Sequence, residues 1–209
     1  MLRLRLNPRE VTADTLVPAV RALHGGGIVA FPTETFYGLA VDPRSVRAVA
    51  KLFALKQRAP DQPIPLIAAD DRQVAGQVGT MTALASRLAS KGWPGPLTLI
   101  IPAASGLCPD VHLSTGRVAV RVPGDSVARA LAECAGHAVT STSANVSGQP
   151  PASTAEEVAA AFGDGIDVLI DAGPTSGGLP STIVDATGTD PILIRAGAIP
   201  WERVLEFLR

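Results

Sequence analysis

The sequence predicts an α/β fold: one domain over residues 1–209, a mixed sheet with flanking helices. Three observations carry that expectation. Short apolar runs of strand length alternate with longer stretches whose apolar residues recur at helical spacing. Gly and Pro, 20 and 18 of the 209 residues, punctuate those runs. No Ser/Pro-rich linker and no internal repeat divides the chain. At 46% hydrophobic residues the length is ample for a core, and disorder is excluded.

Leu2, Leu4 and Leu6 alternate with Arg3 and Arg5, the period of a half-buried strand. A helix follows to about His24, with Thr15 as N-cap, Pro18 in its first turn and Gly25–Gly27 closing it. Ile28–Phe31 reads as a short strand stopped by Pro32. Ser45 caps a helix whose Val46, Val49, Ala50, Phe53 and Ala54 form an apolar stripe. Ile64–Ala68 is a strand, followed by a helix ending near Lys91. Strands recur at Leu97–Ile101, Val118–Val122 and Ala138–Ser141, with a helix over 125–135 between the last two. Ser153 and Glu156 fit a capping box that opens a helix to Phe162. Strands at Val168–Ile170, Thr182–Val184 and Ile192–Ile194 precede a last helix, with Pro200 at N1 and its end at Leu208.

Composition excludes several classes. No apolar run approaches the ~18–20 residues of a membrane helix, and MLRLRLNPRE holds no apolar signal segment. Two cysteines and three scattered histidines give neither a disulfide framework nor metal-ligand spacing. The expectation is a cytoplasmic protein without a membrane anchor or a protein-held metal. The net charge of −1 averages two unlike parts: residues 1–60 carry a balance of +5, residues 61–209 one of −6.

Dinucleotide, P-loop, zinc-protease and serine-hydrolase motifs are all absent from the sequence. Gly25–Gly27 precedes a strand instead of opening a helix, which makes it a helix C-cap and not a phosphate loop. Cys108 and Cys134 read as small hydrophobes, and the histidines as surface or structural residues.

Three segments are more polar than a structural chain requires. Phe31–Leu39 crowds hydroxyl, carboxylate and aromatic groups into one loop, Thr33 and Glu34 among them. Lys56 to Pro63 places Lys56 and Arg58 at a helix C-terminus, where cations serve either the helix dipole or a polyphosphate. Thr140–Gly148 sets Ser141, Ser143 and Asn145 in a neutral hydrogen-bonding wall after a strand. Arg117, Arg121 and Arg195 sit at strand ends, where they cover a sheet edge or, if they converge, bind an anion.

PTETFYGLA (32–40), Lys-x-Arg (56–58), WPGPLTLI (93–100), VAVRVP (118–123), TSAN-x-SG (142–148) and STIVD (181–185) together resemble the YrdC family, the threonylcarbamoyl-AMP synthases of tRNA modification. The resemblance runs from about Gly26 to Gly197. It implies an open, twisted sheet around a positively charged cavity. The implied reaction joins L-threonine, bicarbonate or CO2 and ATP into threonylcarbamoyl-adenylate, releasing pyrophosphate, with Mg²⁺ accompanying ATP.

Position by position, the resemblance makes Thr33, Arg121, Ser141 and Ser181 threonine-binding residues. Lys56, Arg58, Arg117, Ser143, Asn145 and Arg195 become the ATP set, Lys56 and Arg58 being its catalytic pair. Ala59 departs from the family's Lys-x-Arg-Pro, although Pro60 follows it. The chain ends just after its last helix, which implies a short form working with separate transferase partners on tRNA. Two other readings stand beside it: an RNA-binding module, from the +5 balance, and a carbamoyl transferase of hydrogenase-maturation type.

Overall fold

The computed structural model describes residues 1–57, 64–113, 116–124 and 126–209. In chain order the described elements are β1 (Leu2–Arg5), α1 (Ala13–His24), β2 (Val29–Pro32), β3 (Tyr37–Ala40), α2 (Val46–Lys56) and β4 (Leu66–Ile67). Next come α3 (Asp71–Gln73), running into a π-helical turn at Val74–Val78, then α4 (Ala83–Gly92), β5 (Leu97–Pro102) and β6 (Arg117–Arg121). The rest are α5 (Ser126–Ala135), β7 (Val139–Thr140), β8 (Thr142–Ser143), α6 (Ala155–Phe162), β9 (Val168–Asp171), β10 (Thr182–Asp185), β11 (Ile192–Arg195) and α7 (Trp201–Glu206).

The α/β class and the mixed pairing agree with the sequence, but the strands fall into two sheets. One has the order β1-β9-β2-β3-β8 and the other β11-β10-β5-β6-β4-β7. In the first, β1 and β2 flank β9 in parallel, while β3 runs antiparallel to β2 and β8. In the second, β10–β5 and β4–β6 are parallel and the remaining pairs antiparallel.

Alternation decides which face each strand buries. In β2, Ala30 joins the larger core, while Val29 and Phe31 join a second core with Leu16, Ala19 and Leu23 of α1 and Leu131 of α5. In β6, Val118 and Val120 enter the larger core, which turns Arg117, Ala119 and Arg121 to the opposite face.

Local differences from the sequence reading have local causes. Thr12, not Thr15, caps α1; Thr15 is the N3 partner of a reciprocal box. The α6 box is Thr154 with Glu157, one residue beyond the predicted pair, because both pairs satisfy the same spacing. Pro200 is the N-cap of α7, and not its first residue. β3 was expected as loop, and the single helix expected before Lys91 is α3, a π-turn and α4. Ser45 caps α2 as predicted, accepting from Ala48 N at 3.2 Å.

The basic N-terminal third is folded against acidic residues. Arg3 donates to Asp171 at 2.8 Å and to Glu156, Lys51 to Asp167 at 2.8 Å, and Arg44 to Asp42 at 2.7 Å. With Arg5, 3.9 Å from Asp171, four of its nine cations pair with carboxylates among the described residues, which shrinks the face an RNA partner could use.

Candidate functional site

The site is built on the seam between the sheets. β7 pairs with β4 of one sheet and β8 with β3 of the other, with Ser141 alone between them. The Thr140 hydroxyl, fully buried, accepts from Val41 N at 2.9 Å, and Thr140 N donates to Val41 O at 3.1 Å. Ser141 N donates to Pro65 O and Ala144 N to Tyr37 O, both at 2.7 Å. The polar run 140–145 is thus a backbone stitch, and its side chains are held at the crossing. Beside it, Gly38 makes room for the Phe31 ring, which a Cβ there would meet at 3.1 Å.

A cavity of about 560 Å³ opens at the seam, within the ~300–1,000 Å³ of small-ligand sites. Its walls include Thr33, Arg121, Ser141, Ser143, Ser181 and Arg195, six residues that the sequence had singled out. A second cavity, of about 490 Å³ beside Met81, Trp93 and Arg129, contains none of them.

Two guanidiniums face this space. Arg121 ends β6, is 9% exposed, and is ion-paired through Nη1 to Glu34 Oε1. Arg195 ends β11 and donates from Nη2 to the carbonyl of Ser181 at 2.8 Å and to its hydroxyl at 3.2 Å. Partial enclosure, and then the charge of Arg121, push the Arg195 guanidinium below its ordinary value. Among the described residues Arg195 has no carboxylate partner. Two like charges face one cavity and only Arg121 has a carboxylate partner among the described residues, an arrangement that favours an anionic ligand.

Ser181 Oγ lies 2.8 Å from Thr98 Oγ1, so that β5, β10 and β11 meet in a Thr98–Ser181–Arg195 chain. Gly197 permits it. A Cβ there would meet Pro180 O at 2.3 Å and Thr182 N at 2.6 Å, the backbone on either side of Ser181. The Thr33 hydroxyl donates to Phe36 O at 2.7 Å and accepts from Thr35 N at 3.2 Å, which shapes the loop carrying Glu34.

The remaining predicted residues are placed differently. Lys56, 2% exposed at the end of α2, donates to the backbone oxygens of Ser143 and, at 2.7 Å, Asn145. Ser143 Oγ donates to Asn145 Oδ1 at 2.5 Å. Lys56 and Asn145 therefore stand behind Ser143 and do not line the cavity. Arg117 is four positions from Arg121 on the same strand face, engaged by Asp185 at 2.5 Å, and also off the cavity wall. Arg58 and the rest of the 58–63 loop lie outside the described residues.

Sequence reasoning gave no role to Glu34 or Thr98. Glu34 is the sole carboxylate of its polar loop, and Thr98 the one hydroxyl in Leu97–Ile101, 2% exposed. A lone polar residue in an apolar strand was the available signal.

A hydroxyl-walled cleft with two guanidiniums on its wall, set between mixed sheets of an α/β fold, has the chemistry to hold a small, polar, anionic ligand. The Sua5/YciO/YrdC sequence profile, described as telomere recombination, matches residues 21–197, and the chain belongs to that family. It is 42% identical over 177 residues to a threonylcarbamoyl-AMP synthase of Idiomarina loihiensis, covering 83% of this chain and 94% of that one. It is 36% identical over 179 residues to the enzyme of that name from Pyrococcus abyssi, covering 86% of this chain and 53% of the relative. The chain thus spans about half the length of that relative. The crystal structure of P. abyssi Sua5 complexed with L-threonine superposes with a TM-score of 0.90 at 32% identity, over 99% of this chain and 60% of the other.

Proposed function

We propose that this chain is a threonylcarbamoyl-AMP synthase, joining L-threonine, bicarbonate or CO2 and ATP and supplying the adenylate to separate proteins that modify tRNA. The observation that carries the reading is the presence of Arg121 and Arg195 in one hydroxyl-lined cavity, of which, among the described residues, only Arg121 has a carboxylate partner. The named relatives, one of them holding L-threonine, support it.

In this reading Arg121 takes the threonine carboxylate, which the planar guanidinium matches as a two-pronged donor. Ser181, tied to Thr98, reads the threonine side-chain hydroxyl. Ser141 adds a hydroxyl, and Thr33 holds the turn above it. The threonine amine, deprotonated, adds its lone pair to the carbon of CO2, one C=O π bond opening to the carbamate oxygen, and the N–H proton is lost to solvent. A carbamate oxygen attacks the α-phosphorus of ATP, the bond to the β-phosphate oxygen breaks, and pyrophosphate leaves. Such a transfer calls for positioning and charge neutralisation and needs no protein nucleophile.

Arg195 and Ser143 neutralise and orient the phosphates, with Lys56 and Asn145 holding the Ser143 backbone and side chain. Arg58 and Arg117 complete the nucleotide set by the resemblance. Mg²⁺ enters with the nucleotide. Among the described residues no three His, Cys, Asp or Glu side chains cluster to hold an ion. Among the described residues no helix is long and apolar enough to cross a membrane.

The test is pyrophosphate release with each substrate omitted in turn. Release that requires threonine, bicarbonate and ATP together supports the reading, and release indifferent to threonine contradicts it.

A further inference from the structure

The second cavity, of about 490 Å³, shares no residue with the first, and the proposed reaction makes no use of it. Part of its wall is the larger core coming to the surface. Ala89 and Val122 are buried members of that core, and Met81 and Trp93 pack half-buried against it. The Trp93 indole is fixed in place, since its Nε1 donates to Leu97 O at 2.6 Å. Arg129 of α5 also lines the cavity, half-buried, and its Nε donates to Ala69 O at 3.2 Å. Gln73 braces that side: its amide accepts from Ala69 N at 2.8 Å and donates to Ala132 O at 3.1 Å. The space is therefore framed before any ligand arrives, at a volume that a small molecule fills.

Four charged side chains line this cavity without pairing. The Nη nitrogens of Arg129 have no partner among the described residues, and Arg72 makes no ion pair there. Asp70 caps α3, accepting from Gln73 N at 2.7 Å, and neither it nor Asp71 meets a cation among the described residues. A half-buried guanidinium beside open apolar surface matches an anion with an apolar body. The two carboxylates oppose a second negative charge on that anion. We propose that this cavity binds an apolar monocarboxylate, its carboxylate on Arg129 and its hydrocarbon body on Met81, Ala89 and Trp93. Arg72, exposed, adds attraction, while Asp70 and Asp71 select against dianions such as phosphate monoesters. The site is separate from that of the proposed reaction, and neither reading depends on the other.

The test is a titration of the full chain with 3-phenylpropionate, read by NMR on the indole N–H signals of its two tryptophans. The Trp93 signal is expected to move, while that of Trp201, which does not line the cavity, stays. 3-Phenylpropanol keeps the body and lacks the charge, and Arg129→Gln removes the cation; each is expected to weaken binding by about tenfold or more. 3-Phenylpropyl phosphate, as a dianion, is expected to bind more weakly than the carboxylate. A Trp93 signal unmoved by millimolar probe overturns the proposal. So does equal binding of acid and alcohol, or binding that survives Arg129→Gln. Should that variant fold poorly, acid against alcohol on the wild type decides alone. A phosphate bound as tightly as the carboxylate overturns the ligand class.

Discussion

At the scale of single residues, Arg121 and Arg195 are unlike cations. Arg121 is buried and balanced by Glu34, whereas Arg195 is held by Ser181 and meets no carboxylate among the described residues. Arg121→Ala is therefore expected to leave Glu34 uncompensated and, in the proposed reading, to remove the partner of the threonine carboxylate. Threonine-dependent turnover should fall by about 100-fold or more, and stability by about 3 kcal/mol, read by product assay and by urea denaturation. Arg195→Ala should leave the urea midpoint close to wild type while raising the KM for ATP.

Tyr37, the sole tyrosine, gives a second residue-scale prediction. It is fully buried, its hydroxyl donates to Gly173 O at 2.7 Å, and burial, then the charge of Asp171, push it up to about 12. The unfolded chain ionises this phenol near 10.0, so its contribution is intact below that pH and is lost as pH rises toward 12. The loss should reach about 2–3 kcal/mol. Tyrosinate absorbance should appear near pH 12 in the folded protein and near 10 in denaturant; coincident titrations would contradict the assignment.

At the scale of elements, the seam at β7 and β8 controls the site. Thr140→Val keeps the shape but removes the acceptor for Val41 N, leaving a buried donor unmet at a cost of about 1–3 kcal/mol. Because Ser141 and Ser143 follow directly, the same change should lower turnover as well as the urea midpoint. Thr154→Ala, at the N-cap of α6, should cost about 1 kcal/mol and spare turnover, since α6 contributes no residue to the cavity.

Elements with their own punctuation were legible in the sequence. Ser45 and Gly25 marked the ends of α2 and α1, and the run Leu97–Ile101 marked β5. β3 was hidden because its buried Tyr37–Ala40 follows a polar turn and looks continuous with it. The placement of Arg117 was illegible for a different reason: its partner Asp185 is 68 residues away, and no local pattern encodes that pairing.

At the scale of the whole molecule, the net charge of −1 conceals a basic and an acidic part that the fold brings together, Arg3 to Asp171 and Lys51 to Asp167. What stays uncompensated among the cavity residues is local, at Arg195, so an anion is drawn to one cavity more than to a broad face. Salt should therefore weaken ATP binding far less steeply than it weakens a multi-phosphate nucleic-acid contact. The division of strands into two sheets was not readable from local pattern, because pairing partners such as β1 and β9 are distant in sequence. That division is nevertheless what creates the cavity. The central claim is that this cavity makes an adenylate from three substrates, and mass spectrometry of the reaction mixture tests it most directly. Threonylcarbamoyl-AMP, formed with pyrophosphate only when L-threonine, bicarbonate and ATP are all present, is the predicted result. Its absence from a folded, threonine-binding protein under those conditions would contradict the account.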